Sequence, residues 1–144
     1  MRFRHLGFLA ALVLTGAFTL TGQEATPTVK HTTAPATSPA SGKEMFMSYC
    51  ASCHGKDAKG DGPAASALKQ TPADLTMLAK QNGGKYPSDK VMSILRGQTK
   101  LMAHGDQDMP VWGPVFWRMS QGHEEQVRMR ITNLNRYLES IQEK

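Results

Sequence analysis

The chain has 144 residues, a formal net charge of +5 and two cysteines, and 40% of its residues are hydrophobic. That length fits one domain with extensions, and two cysteines exclude a disulfide-rich scaffold and any four-cysteine zinc or iron–sulfur site within one chain. The positive charge suggests nucleic acid as one class of partner. However, no predicted helix carries a lysine and arginine stripe, so no nucleic acid is expected to bind.

The first residues, 1–22, have the pattern of a secretory signal peptide. A basic head is followed by the uncharged stretch Leu6–Leu20. As a helix this stretch would cover only about 22 Å of a hydrocarbon core about 30 Å thick, which favours export to the periplasm over a permanent anchor. An uncleaved segment acting as a membrane tether is the alternative. Cleavage would remove Arg2 and Arg4 and lower the formal charge from +5 to +3.

Residues 23–41 are predicted to form a disordered linker. The segment is rich in Thr, Pro, Ala and Ser, and Val29 is its one large apolar residue. Such a composition buries too little apolar surface to offset the entropy of ordering the chain. The folded domain is therefore expected over residues 42–144.

The predicted elements of this domain are helical. Ser41 and Glu44 have the spacing of a capping box, and the helix after them places Phe46, Tyr49 and Cys50 on one face. Shorter helices are predicted at 64–69, at 74–81, from Ser88 or Asp89 to Gly97, and from Gly113 to Arg118, with residues 98–113 irregular.

The last helix has the strongest pattern, because its apolar residues recur at steps of four and three: Val127, Ile131, Leu134, Leu138 and Ile141. No stretch alternates polar and apolar residues over the length that a sheet requires. The fold class is therefore all-α. Trp117, in the helix before, is expected in the core.

The motif that carries chemistry is Cys50-Ala51-Ser52-Cys53-His54, the C-x-x-C-H pattern of c-type haem attachment. Cysteines three apart on a helix project from the same side, so their thiols can join the two vinyl groups of one porphyrin while His54 reaches the iron. A zinc site needs further ligands at suitable spacing, and a thioredoxin-like motif needs a βαβ context. The sequence therefore predicts one haem c, bound covalently through Cys50 and Cys53.

The second axial ligand of the iron is predicted to be Met109. It lies in an irregular segment and precedes Pro110, which favours an extended backbone that can hold a side chain pointing inward. Met102 and His104 in the same segment are alternatives, and His104 would give bis-histidine ligation. The predicted metal ligands are thus His54 and Met109.

Four parts of the domain carry a family resemblance: CASCHG at 50–55, KGDGP at 59–63, DMPVWG at 108–113, and the final helix with Leu134, Tyr137 and Leu138. In combination they resemble the single-haem class I cytochromes c in their bacterial periplasmic form. The resemblance implies a fold in which the N- and C-terminal helices cross beside a covalently bound haem. Gly42, Phe46 and Tyr137 would lie in or near that crossing.

The resemblance also implies that the Pro63 carbonyl accepts a hydrogen bond from His54 Nδ1 and so fixes the ring. Trp112 is expected to pack on the haem or to donate its indole N–H to a propionate, with ordinary core packing as the alternative. Arg96 and Lys100 are candidates to neutralise a propionate, with solvated positions as the alternative.

The predicted function is that of a periplasmic electron-transfer protein and not an enzyme, because a haem with His and Met ligands has no open coordination site. Electrons would pass to and from redox partner proteins through a small, transient interface. Two alternatives stay open. One is a haem enzyme or gas sensor with a labile sixth ligand, and the other is an electron-transfer subunit of a larger oxidoreductase.

Overall fold

The computed structural model describes residues 34–98 and 109–143. Within these ranges the secondary structure is helical, with no β-strand, which confirms the all-α class. Six α-helices follow in chain order: α1 (Gly42–Tyr49), α2 (Ala51–His54), α3 (Leu78–Gln81), α4 (Ser88–Arg96), α5 (Trp112–Met119) and α6 (Glu124–Ser140). The predicted signal peptide, the first part of the predicted linker, and Lys100, Met102 and His104 lie outside the described residues.

Helix α1 begins at the predicted capping residues. The Ser41 hydroxyl accepts a hydrogen bond from the Glu44 N–H at 3.1 Å. The Glu44 carboxylate reaches further back than the capping-box spacing suggests, and accepts from the Ser38 N–H at 3.3 Å. The first contact satisfies a backbone donor that the first turn leaves without a helical partner, and the second ties the chain before the helix to that turn. They also fix the direction in which the chain enters α1.

Helices α1 and α6 cross at Gly42. A Cβ at this position would lie 2.7 Å from the carbonyl carbon of Asn133 and 2.8 Å from Tyr137 Cβ, so the close approach requires glycine. Next to the crossing, the ring of the fully buried Phe46 lies 5.4 Å from that of Tyr137. The predicted crossing of the N- and C-terminal helices at these residues is confirmed.

The segment just before α1 is ordered against the domain, which corrects the predicted linker over its last residues. Thr37 is buried, and its hydroxyl lies 2.6 Å from that of Tyr49. The Tyr49 hydroxyl donates to the Pro35 carbonyl at 2.7 Å, and the Asn133 amide donates to the Pro39 carbonyl at 3.0 Å. These hydrogen bonds to residues of α1 and α6 order the segment, although its own composition offers little apolar surface to bury. We call residues 35–41 the N-terminal strap.

The chain after α6 fastens the segment that contains α3. The Gln142 side chain donates to the Leu75 carbonyl at 2.7 Å and accepts from the Ala79 N–H at 2.8 Å. A second tie joins the chain before α4 to α6, where the Tyr86 hydroxyl donates to Asn135 Oδ1 at 2.9 Å. Helix α6 and the residues directly after it therefore hold both central segments.

Several predicted helix bounds differ from the structure. The helix expected at 64–69 is only a 3-10 turn, Ala65–Ala67, and α5 starts at Trp112 instead of Gly113. The prediction for Trp117 is wrong, because this side chain is 50% exposed. Helix α6 confirms the predicted apolar stripe, since Ile131, Leu134 and Leu138 are buried. Among the described helices, none has the length and apolar character of a membrane span.

Candidate functional site

The two cysteines and His54 are held on one helical turn. Cys50 joins α1 to α2: its N–H donates to the Phe46 carbonyl at 2.9 Å, and its own carbonyl accepts from the His54 N–H at 2.8 Å. Cys50 is buried, Cys53 is partly buried, and no disulfide joins them. The turn therefore places both thiols and the imidazole together, as the motif predicts.

A glycine-rich loop closes over the end of α2. The Gly60 N–H donates to the His54 carbonyl at 2.8 Å, and the Gly62 N–H donates to the Cys53 carbonyl at 3.0 Å. These donors satisfy carbonyls that a helix end leaves without partners. A Cβ at Gly62 would lie 2.6 Å from the carbonyl carbon of Cys53, so the loop can lie this close only with glycine there. The loop thus packs against the end of the C-x-x-C-H turn and stabilises it.

The His54 ring is oriented by the Ala73 carbonyl, and the prediction of Pro63 is wrong. His54 Nδ1 lies 3.0 Å from the Ala73 oxygen. Pro63 is solvent-exposed, because the loop before it folds onto the end of α2. The Asp74 side chain accepts from the Thr76 N–H at 2.9 Å and so caps the following 3-10 turn, which fixes Ala73 just before it.

The contact with the Ala73 carbonyl favours one tautomer of the His54 imidazole. In the tautomer that carries its proton on Nδ1, the ring donates to this carbonyl and presents Nε2 as its acceptor nitrogen, the atom that a metal takes. His54 as a whole residue is only 8% exposed. The structure therefore shows a buried, oriented histidine of the kind that metal-binding sites use, with Ala73 in the role predicted for Pro63.

The turn lies at a cavity of about 220 Å³. Cys50, Cys53 and His54 line it, and so do Met109 and Trp112. The structure thus brings five of the six predicted site residues to one cavity, although Met109 is separated from His54 by more than fifty positions in the sequence. Pro63 is the predicted site residue that lies outside it.

The cavity wall is mainly apolar. Its lining includes aliphatic side chains from the segment around α3, from α4 and from α6: Leu68, Leu75, Leu78, Val91, Ile94, Leu95, Leu134 and Leu138. The polar side chains come from Gln70, Gln81, Asn82 and Lys90, which are exposed. An apolar interior with polar groups at its exposed margin fits a planar, largely apolar cofactor that carries polar substituents at one edge.

Trp112 has the core packing that was predicted as an alternative, and its packing on the haem stays a prediction. It lines the cavity, and it is 7% exposed within an aromatic cluster. Its ring lies 5.2 Å from that of Tyr49 and 5.6 Å from that of Phe116. The hydrogen bond from its indole to a propionate stays a prediction.

Burial raises the pKa of the Cys50 thiol to about 12, with a smaller contribution from Cys53. Redox-active C-x-x-C motifs instead need a lowered thiol pKa, because the thiolate is the nucleophile. The environment of Cys50 is therefore unsuited to a thioredoxin-like reaction.

Arg96 is exposed and lines a different groove beside Trp117, so it takes the solvated position that the sequence left as an alternative. Three contributors to the site were missed: the Ala73 carbonyl, the Tyr49 ring and Lys90. Two of them could have been found from their neighbours in the sequence. Tyr49 immediately precedes Cys50, and Ala73 precedes the Asp74 cap.

The donor set and the cavity define a class of protein. Two thiols on one turn, an oriented imidazole and a thioether at one apolar cavity are the groups that hold a haem c. A family model described as cytochrome c oxidase, cbb3-type, subunit III matches residues 37–120. The chain belongs to this family of c-type cytochrome domains.

Family membership confirms the resemblance to class I c-type cytochromes and the cytochrome c fold, and it identifies a c-type haem electron-transfer protein. The match begins inside the N-terminal strap, in agreement with the ordered Thr37. Comparisons with curated proteins and with solved structures found no match.

Proposed function

We propose that the chain is an exported, periplasmic electron carrier that holds one haem c. Cys50 and Cys53 would form its thioether bonds, and His54 and Met109 would be its axial ligands. The observation that carries the proposal is that all four side chains line one cavity. The protein is not proposed as an enzyme, because iron held by both His54 and Met109 would have no open site for a substrate.

The bound haem would supply a one-electron change of oxidation state, and the chain's own residues would set its conditions. Ala73 orients the His54 ring and increases its basicity as a ligand. A methionine sulfur is a poor donor to ferric iron, so Met109 would raise the reduction potential relative to a second histidine. The aliphatic wall would exclude water from the haem and disfavour the additional charge of its ferric state.

Export is supported by the sequence of residues 1–22, which we propose as a signal peptide, with the first part of 23–41 as a linker. Cytochrome c domains are typically extracytoplasmic, which agrees with this location. A membrane tether through an uncleaved leader is the alternative. Donor and acceptor proteins would dock where the cavity opens, beside the exposed Lys90 and Asn82.

The family description favours a second candidate function, an electron-transfer subunit of an oxidase complex. In that case the same haem would pass electrons within a stable assembly instead of to a diffusing partner. Purification of the native protein from its membrane and soluble fractions distinguishes the two. A carrier would be recovered alone, whereas a subunit would be recovered with the other chains of the oxidase.

The ligation is tested by visible spectroscopy of the purified holoprotein. A Met109–iron bond predicts a weak band at the red end of the oxidised spectrum and no CO binding by the reduced protein at neutral pH. Met109→Ala should keep the covalent haem, lose that band, bind CO and lower the reduction potential. A high-spin ferric wild-type protein that binds CO readily when reduced would contradict the carrier and favour the enzyme or gas sensor.

A further inference from the structure

Arg130 is a buried cation that the haem ligation does not use. It lies on α6 one turn before Leu134 and is 5% exposed. Both terminal nitrogens of its guanidinium donate to Thr37 of the N-terminal strap, one to the hydroxyl and one to the carbonyl oxygen, each at 3.0 Å. Its Nε is also buried and has no hydrogen-bond partner among the described residues.

The charge of Arg130 is retained inside the protein by neutral acceptors. Thr37 offers hydrogen bonds but no negative charge, and within the described ranges the one ion pair joins Lys59 to Glu143. Burial of a cation in this way costs more than burial of an apolar side chain of similar size. Because Arg130 is buried and held in one geometry, water screens its charge less than it screens an exposed charge. Its electrostatic field therefore acts more strongly on nearby groups.

The guanidinium is connected to the cavity wall through two hydrogen bonds. Arg130 donates to the Thr37 hydroxyl, which lies 2.6 Å from the Tyr49 hydroxyl. Tyr49 lines the cavity, and its ring packs against that of Trp112. On the helix itself, Leu134 is one turn further on and lines the same cavity. Arg130 is therefore joined to the wall in two ways, by hydrogen bonds through Thr37 to Tyr49 and along α6 to Leu134.

We propose that Arg130, fixed by the N-terminal strap, raises the reduction potential of the haem through its buried positive charge. The inference rests on the proposed function, in that the haem occupies this cavity. Reduction adds one electron to the centre, supplied by the donor protein, and no bond forms or breaks. A fixed positive charge joined to the wall favours the state that has gained the electron.

The test measures the midpoint potential of the holoprotein by redox titration with mediator dyes, followed in the visible spectrum. Arg130→Gln removes the charge but keeps donors for Thr37, and should make reduction up to about tenfold less favourable, which for one electron is about 59 mV. Arg130→Lys keeps the charge and should stay near the wild-type value. The control is Arg128→Gln, an exposed arginine on the same helix, whose charge solvent and salt screen.

Thr37→Val separates the field of the charge from the position of the wall. It removes the hydroxyl that links Arg130 to Tyr49 but leaves the cation in place, so the potential should change little. If it lowers the potential as much as Arg130→Gln does, the charge is not the cause and the inference is overturned. Should Arg130→Gln accumulate poorly as holoprotein, Arg130→Met removes the same charge with an apolar side chain and should give the same direction of shift.

Failure of this inference is distinguishable from failure of the proposed function. If the wild-type protein contains no covalent haem, the proposed function fails before any variant is compared. If the wild-type spectrum is as expected and Arg130→Gln keeps both that spectrum and the wild-type potential, only the role of Arg130 is refuted.

Discussion

Replacement of Gly42 by alanine tests the helix crossing on which the cavity depends. The added Cβ would lie 2.7 Å from the carbonyl carbon of Asn133 and 2.8 Å from Tyr137 Cβ. Neither atom can rotate away, because one belongs to the backbone of α6 and the other is attached to it. Helices α1 and α6 must therefore move apart to accept the methyl group.

The expected magnitude follows from two opposing effects. Alanine is favoured over glycine within a helix by about 0.5–1 kcal/mol. Overpacking of a tight contact costs about 1–3 kcal/mol, and the rigid neighbours place this site at the upper end. The net loss in the free energy of unfolding is thus about 2 kcal/mol, which lowers the Tm of a domain of about 100 residues by about 8–16 °C.

The assay is thermal and urea unfolding of the holoprotein, followed by far-ultraviolet circular dichroism and by haem absorbance. Lys43→Ala is the matched control, since Lys43 is the next residue of α1 and is exposed; its effect should stay within about 0.5 kcal/mol. If Gly42→Ala is as stable as the wild-type protein, the helices do not cross at this residue as the structure describes.

Further predictions concern the covalent attachment of the haem and the hydrogen bond between Tyr86 and Asn135 of α6. Cys50→Ser or Cys53→Ser should leave at most one thioether bond, and the double variant should lose its haem stain on a denaturing gel. Tyr86→Phe removes the hydrogen bond to Asn135 and should lower the free energy of unfolding by about 1–2 kcal/mol in urea titrations. Burial raises the pKa of Tyr86, so the unfolded chain loses this proton first as pH rises. The free energy of unfolding should therefore fall above about pH 10, and fall less steeply in Tyr86→Phe; equal slopes would contradict this account.

Local signals predicted much of this molecule. The cap at Ser41 marked the start of α1, and the apolar stripe marked α6, because both patterns act within a few residues. The C-x-x-C-H motif identified the haem turn for the same reason. Met109 needed more than local pattern, and its position at the cavity agrees with the loop context from which it was predicted.

The failures involve contacts between distant parts of the chain. Pro63 and Ala73 lie on the same connecting segment, and which carbonyl meets His54 depends on how the glycine-rich loop folds over α2. Likewise, the strap is ordered by Arg130, which lies 93 positions after Thr37. Composition alone therefore placed the C-terminal end of the linker too late in the chain. It reports only how much apolar surface a segment can bury by itself.

The central claim, a single haem c joined to Cys50 and Cys53, is tested most directly by the intact mass of the denatured native protein together with its pyridine haemochrome spectrum. The expected mass is that of the signal-cleaved chain plus one haem, and the expected spectrum is that of a haem with both vinyl groups saturated. A mass equal to the chain alone, or a haem that denaturant and acid solvent extract, would contradict the claim.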